Sequence, residues 1–328
     1  MTYIDQLSIK DIRQANWWEE ISEYFGISAE LLQTAVAFKR LDPHEESREL
    51  ISAREQIRQQ FMSQKSIKLH DRILYEHVED VSDFERSSSW KDYIFVCING
   101  ERRCFQNMRF YDWIIHSIVK PRLQHTDSLK IMDYGCGSSL FTRLLSQDFP
   151  HKVTTISADV SKPAVEFSVA RNSRYNLNGS QGVLIEDVMS FPDVSGIDLT
   201  LANTVFEHLP NSAYQIEQLV KSLSKSGVLV ENYVGHSQAT PHKSDTFDSY
   251  KSRDRNLDML RDQLTLVYGS LPEKRDGIYM ESSKTRVWVS DETPEIISRM
   301  RKRLKFYQYH RKFLRLMDKA GYYRRGKV

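Results

Sequence analysis

The feature that most narrows what this chain can fold into is one short stretch, Ile131-Met132-Asp133-Tyr134-Gly135-Cys136-Gly137-Ser138-Ser139. An apolar run starting at Leu129 ends on an acidic residue, crosses two glycines one residue apart, and enters a helical pattern at Leu140. Glycines placed directly after a buried strand let the backbone approach a ligand with no Cβ in the way. Alone, the loop has two readings, a nucleotide-type loop or a tight turn. The following hundred or so residues narrow the choice of fold. Strand patterns at Val153-Thr154-Thr155-Ile156, Val183-Leu184-Ile185, Ile197-Asp198-Leu199-Thr200-Leu201 and Gly227-Val228-Leu229-Val230 alternate with helical patterns, among them 163–171 and 212–223. Strands separated by helices of this length imply parallel pairing with right-handed crossovers. The expected fold is an α/β, doubly wound, mostly parallel sheet, with ligands at the carboxyl ends of its strands. Ile278-Tyr279-Met280 and Arg286-Val287-Trp288-Val289 are candidate sixth and seventh strands.

The flanking regions differ from this core. Residues 1–120 read as mainly helical with one hairpin, a substrate cap or dimerisation element, and 121–328 as the core with a long insertion after strand five. Ser28 is a candidate N-cap ahead of Leu31, Ala35, Phe38 and Leu41 at helical spacing. Tyr93-Ile94-Phe95-Val96-Cys97-Ile98 followed by Asn99-Gly100 reads as a hairpin. An amphipathic helix over 108–119 is expected to stop before Pro121. Residues 234–328 open on a polar loop and close on a long basic helix.

Composition excludes several classes. The chain has 328 residues, 40% hydrophobic and 27% charged, which is the balance of a globular domain. It has no run of ~18 apolar residues, so no membrane partner is expected. The N-terminus lacks the pattern of a secretory signal. Three cysteines fit a reducing, cytoplasmic setting, and no CxxC pair suggests a metal. A net charge of +2 argues against a surface built throughout for nucleic acid.

Two further carboxylates occur where a nucleotide-type ligand would need them. Asp159 lies just past the second strand, where it can accept from ribose hydroxyls or cap the next helix. Asp187, in Glu186-Asp187-Val188 after the third strand, can accept from an adenine amino group or stabilise its own turn. The ordered set resembles the class I S-adenosylmethionine (SAM)-dependent methyltransferases, particularly the small-molecule and quinone methyltransferases. The resemblance covers about 105 residues. It implies a seven-stranded Rossmann-like sheet with S-adenosyl-L-methionine as cofactor. Cofactor contacts then fall on Asp133, Gly135, Cys136 and Gly137, on Asp159 and Val160, on Asp187 and Val188, and on Asn203. Asn203-Thr204-Val205-Phe206-Glu207-His208-Leu209-Pro210 matches the family's segment after strand four. Ser139 stands where a third glycine is usual. A nicotinamide fold would more usually place a glycine where Leu140 stands, and no Gly-Lys-Ser/Thr follows for a kinase-type loop.

Methyl transfer from a sulfonium is an in-line displacement at an activated donor, so the protein mainly orients the reactants. A hydroxyl acceptor benefits from a general base. His208 is the first candidate, with pocket shaping as its alternative role, and His236 and His242 in the loop after strand five follow. Trp90, Tyr93, Arg109, Tyr111 and Trp113 could line an acceptor site, although Trp113 also suits a helix core. The expected acceptor is a small molecule with an acidic group, such as a sugar or natural-product intermediate. From Arg299 onward about a dozen Lys and Arg face one Asp. This face can hold RNA, recognise a phosphorylated ligand, or merely be solvated. An RNA-modifying enzyme, or a SAM-binding partner subunit without catalysis, are the alternative functions, and a homo-oligomer is compatible with each.

Overall fold

The computed structural model describes residues 110–319, apart from 112, 138, 175–178, 186–188, 210, 234–246, 272–273, 276–277 and 280–284. The expectations for 1–109, including the Ser28 helix, the Asn99-Gly100 hairpin, Trp90, Tyr93 and Arg109, lie outside the described residues.

Among the described residues nine strands form: β1 (Leu129–Tyr134), β2 (Val153–Asp159), β3 (Ser180–Leu184), β4 (Ile197–Ala202), β5 (Leu223–Glu231), β6 (Thr265–Tyr268), β7 (Lys274–Arg275), β8 (Ile278–Tyr279) and β9 (Arg286–Val289). Seven of them make one sheet in the order β3-β2-β1-β4-β5-β9-β6. β1 to β5 pair in parallel, and β9 runs antiparallel to both β5 and β6. This is the expected seven-stranded, mostly parallel, doubly wound Rossmann-like sheet.

The central strands are buried on both faces, and the apolar runs in β1, β5 and β9 reflect this. Ile131, Val228, Val230, Val287 and Val289 point to one core. Met132, Leu229 and Trp288, one residue out of phase, point to the other. α1 (Leu140–Asp148) and α5 (Pro294–Lys319) pack on the first face. α3 (Ser212–Ser222) and α4 (Phe247–Gln263) pack on the second. α2 (Lys162–Arg174) lies against β2 and β3.

Three expectations change. The sixth strand of the sheet is β6, over Thr265–Tyr268, whereas Ile278–Tyr279 pairs with Lys274–Arg275 in a separate two-stranded ribbon. Only pairing against β9 distinguishes two short apolar runs of this kind. The polar stretch after strand five contains α4, whose Leu257 and Leu260 are buried while most of its other side chains are polar. The helix before Pro121 does not stop there. It widens into a π-helical segment, Ile115–Val119, in which the Lys120 N–H donates to Ile115 O, and a turn at Lys120–Arg122 carries the proline. The wider turn accommodates a residue that has no N–H to give.

Phe110, Tyr111 and Trp113 belong to the core of this segment, not to an acceptor pocket. Tyr111 packs on Phe141 and Trp113 on Tyr268, and the Trp113 indole N–H donates to Leu304 O at 3.1 Å. Met300 and Leu304 of α5 are buried, with Ile297 and Tyr307 packed beside them at helical spacing. No helix of the described residues is long and apolar enough to cross a membrane.

β5 and β9 are joined by more than their ladder. Glu231 and Arg286 are register partners at the strand ends, both fully buried. Arg286 donates to Glu231 through Nε at 2.6 Å and Nη2 at 2.9 Å, and the Trp288 indole N–H donates to the same carboxylate at 2.8 Å. The Tyr233 N–H also donates to it, and Arg286 Nη2 reaches Tyr233 O. Removing one partner strands a buried charge. Arg286→Ala is expected to cost about 3–5 kcal/mol in denaturant unfolding, far more than an exposed pair such as Glu217–Lys221.

Candidate functional site

The strand order reverses at β1, whose neighbours are β2 and β4. Chains leaving β1 and β4 therefore depart to opposite faces and open a crevice at the carboxyl ends. Three segments line it: the loop after β1, the end of β2, and the segment after β4.

The β1 loop is held from both sides. Gly135 N–H and Cys136 N–H both donate to Ala158 O, at 2.8 and 3.1 Å. The Gly137 N–H donates to Asp159 Oδ2 at 2.9 Å. Gly135 and Gly137 have φ of +72° and +50°, the left-handed region that glycine enters without steric cost. Their surroundings differ. A Cβ on Gly135 would lie 2.4 Å from Val205 Cγ2, so the loop and the post-β4 segment touch there. A Cβ on Gly137 would meet nothing within 4 Å among the described residues. Ser139 takes φ +50° and is fully buried, adopting the conformation a glycine would favour at the start of α1.

Asp133 and Asp159 supply the charge. Asp133 is buried at the end of β1, and desolvation, reinforced by the Asp159 charge, holds its carboxyl well above the usual carboxylate range. Asp159 is half-buried. Desolvation pushes its carboxyl up, while backbone N–H groups of Ser161, Gly137 and Val160 pull it down. Ser161, one residue before α2, is the capping side chain, accepting from Ala164 N–H at 3.4 Å. Asp159 thus bridges the β1 loop and the β2–α2 turn, through Gly137 and Ser161, and does not itself cap the helix. Neither carboxylate has a cationic partner among the described residues. Gly137 bonds to Oδ2 and Ser161 to Oδ1, and the roughly four lone-pair sites of a carboxylate leave Asp159 capacity for a further donor. The arrangement fits a ligand that is itself cationic, brings hydroxyl donors, and approaches the glycine backbone closely. S-adenosylmethionine has an ammonium, a sulfonium and a ribose diol, and meets each requirement.

The post-β4 segment completes the crevice. Asn203 is half-buried. Thr204 follows at φ +60°, its N–H donating to Asn232 Oδ1 and its hydroxyl oxygen accepting from Asn232 Nδ2 at 3.4 Å. A β-branched residue at positive φ is strained by an amount on the order of 1–3 kcal/mol. Phe206–His208 forms a single 3₁₀ turn, with the His208 N–H donating to Val205 O at 2.9 Å. Glu207 is buried and His208 half-buried at the crevice edge.

The structure thus brings Asp133, Gly135, Cys136, Gly137, Asp159, Val160, Asn203 and His208 to one edge of the sheet. Cys136 is buried beneath the loop. Asp187, Val188, His236 and His242 lie outside the described residues. Sequence reasoning did not find Asn232, Thr204 or the Glu231–Arg286 pair. An asparagine directly after a strand has no local signature, and its partner lies 28 residues away.

Fold and crevice together define a nucleotide-type site at a topological switch point. Residues 125–282 match a family model described as a methyltransferase domain. The match and the sheet topology support a class I SAM-dependent methyltransferase domain within this chain. Among curated relatives it is similar to a malonyl-[acyl-carrier protein] O-methyltransferase of Bacillus cereus, 28% identical over 120 residues, covering 37% of this chain and 43% of the relative. It is similar to the protein of the same description from Halalkalibacterium halodurans, 27% identical over 203 residues, covering 55% and 71%. It also resembles an (S)-coclaurine N-methyltransferase of Thalictrum flavum, 25% identical over 122 residues, covering 37% and 33%. The match spans less than half of the first and third of these relatives.

The two glycines are expected to fail differently. Gly135→Ala drives a methyl group into Val205 and should lower thermal stability by several degrees, with partial recovery on Val205→Ala. Gly137→Ala meets no described residue but is strained at φ +50°; it should lose some stability that Val205→Ala does not recover, and also impair ligand binding, as read by thermal melts and calorimetry on the same samples.

Proposed function

We propose that this chain transfers a methyl group from S-adenosylmethionine to a hydroxyl of a small-molecule acceptor. The observation that carries this is the pair of carboxylates, Asp133 and Asp159, with no cationic partner among the described residues, beside the backbone of Gly137. Asp133 holds the ligand ammonium. Asp159 and Val160 receive the ribose, with Gly135, Cys136 and Gly137 beneath it and Asn203 on the opposite wall. Asp187 and Val188 are assigned to the adenine. When bound, the sulfonium supplies an already activated methyl, so the chain's own task is alignment and exclusion of water. His208, at the crevice edge, takes the acceptor proton, and His236 and His242 are the further candidates. The two relatives named O-methyltransferases support an oxygen acceptor; the N-methyltransferase is the counter-example.

One observation favours a second reading, an RNA acceptor. On α5, Phe306 and Tyr309 are 65% and 66% exposed, alongside exposed Arg299, Arg301, Lys302 and Lys305. Aromatics among cations stack bases and hold phosphates. Binding of a labelled dodecauridine that weakens steeply with salt would favour this reading. Salt-insensitive or undetectable binding leaves the small-molecule acceptor.

Calorimetric titration tests the main proposal. SAM and S-adenosylhomocysteine (SAH) are expected to bind, and NAD is not. Asp159→Ala should weaken both adenosyl ligands by about 1–3 kcal/mol. In the ligand-free protein the raised carboxyls of Asp133 and Asp159 favour the protonated form, so their contribution to stability fades as pH rises above the ordinary carboxylate range. A cationic ligand favours the ionised form. SAM binding should therefore release protons and tighten with rising pH across that window. Affinity independent of pH would remove both carboxylates from the cofactor site.

A further inference from the structure

Thr204 is the one β-branched residue at positive φ among the described residues; Ser139 and His151 are the other non-glycine cases. Such a conformation persists only where the surroundings over-determine it. Here both hydrogen bonds at Thr204 come from one side chain. Ala202 and Glu231 are register partners at the ends of β4 and β5, so Asn203 and Asn232 are the first residues beyond the ladder on adjacent parallel strands. Asn232 uses both ends of its amide on Thr204, accepting the backbone N–H at Oδ1 and donating from Nδ2 to the hydroxyl.

Asn232 is itself rigidly placed. On one side Glu231 accepts from Arg286, Trp288 and the Tyr233 N–H. On the other, Tyr233 is buried, its carbonyl accepts from Arg286 Nη2, and its ring packs edge-on against Phe206. The residue after Thr204 is Val205, whose Cγ2 occupies the space that a Cβ on Gly135 would need. A chain of contacts therefore runs from the buried Arg286–Glu231 pair through Asn232 and Thr204 to Val205 and the glycine loop.

We propose that Asn232 is a positioning residue for the cofactor crevice. By clamping Thr204 in its left-handed conformation, it seats Val205 on Gly135 and presents Asn203 to the ligand. This rests on the reading of the crevice as an adenosyl-ligand site. Asn232 need not touch the ligand; it acts through Thr204. Glycine at position 204 would adopt the same φ without steric cost, and would then need no clamp.

The experiment uses the full chain and SAH as probe. Dissociation constants and ligand-free thermal midpoints are measured for wild type, Asn232→Ala, Asn232→Asp, Thr204→Gly and the Asn232→Ala/Thr204→Gly double variant. Asn232→Ala should weaken SAH about tenfold, the loss of one net hydrogen bond and the register it holds. Asn232→Asp keeps an acceptor for the Thr204 N–H and should stay within about threefold of wild type. Thr204→Gly should bind as wild type does, and the double variant should recover most of the lost affinity. Without ligand, Thr204→Gly should raise the melting midpoint more in the Asn232→Ala background than in wild type, because only there is the strain unsupported. Wild-type affinity in Asn232→Ala would overturn the clamp. So would a double variant as weak as Asn232→Ala, which would mean that Asn232 acts on the ligand directly. Wild type failing to bind SAH would overturn the cofactor reading instead, and the thermal coupling between positions 204 and 232 would then decide the clamp, with additive midpoints refuting it.

Discussion

The contact between Gly135 and Val205 is the constraint around which the crevice is organised. The β1 loop and the post-β4 segment leave the sheet on opposite sides of its reversal point, and they meet only because position 135 has no Cβ. The same loop is tied to β2 by the Ala158 carbonyl and the Asp159 carboxylate. Three strand ends are thereby fixed to one another by a few polar contacts and one close approach. With the loop held in this way, Asp133 is buried behind it and Gly137 is left with room for a Cβ among the described residues. Both consequences are electrostatic and steric preparation for a cationic ligand, present before any ligand arrives.

The sheet is tied by polar groups at both ends of its strands, fully buried at the carboxyl end and half-buried at the amino end. At the carboxyl edge, Glu231, Arg286 and Trp288 form one satisfied carboxylate site across β5 and β9. At the amino edge, Asp198 accepts from the Lys130 N–H at 2.8 Å and from the Ser224 hydroxyl at 3.0 Å, linking β4 to its two neighbours. Arg122 sits beside this group, donating to Ser226 O and lying 3.9 Å from Glu292. Burial lowers the Arg122 guanidinium from its ordinary value, partly offset by Glu292 and Asp198. These networks set the relative height of the strands. That height places Asn203 level with Asn232, and brings Thr204 within reach of the Asn232 side chain.

Much of the fold was legible from the chain. The five parallel strands, the glycine loop and the helices over Lys162–Arg174 and Ser212–Ser222 all fall close to where hydrophobic period and turn residues placed them. Local pattern suffices there because each element buries its own regular face. The sixth strand was not legible, since Thr265–Tyr268 and Ile278–Tyr279 carry similar short apolar patterns and only pairing with β9 separates them. Nor was α4, whose buried face includes Asn256 and Arg253 beside its leucines and so blurs the apolar period. Pro121 misled for a related reason: a π-helical turn absorbed a residue that an α-helix would have rejected.

The sequence by itself determined the doubly wound class and the cofactor loop, because both depend on residues adjacent in the chain. An acidic strand end, two glycines and a following helix specify a ligand edge wherever the rest of the sheet goes. Only the tertiary structure decided how that edge is held. The Asp159 bridge to Gly137, the seat of Val205 on Gly135, the Asn232 grip on Thr204 and the Glu231–Arg286 pair each join residues tens of positions apart. Their existence depends on strand register, and register is set by the packing of two complete cores rather than by any local run of residues.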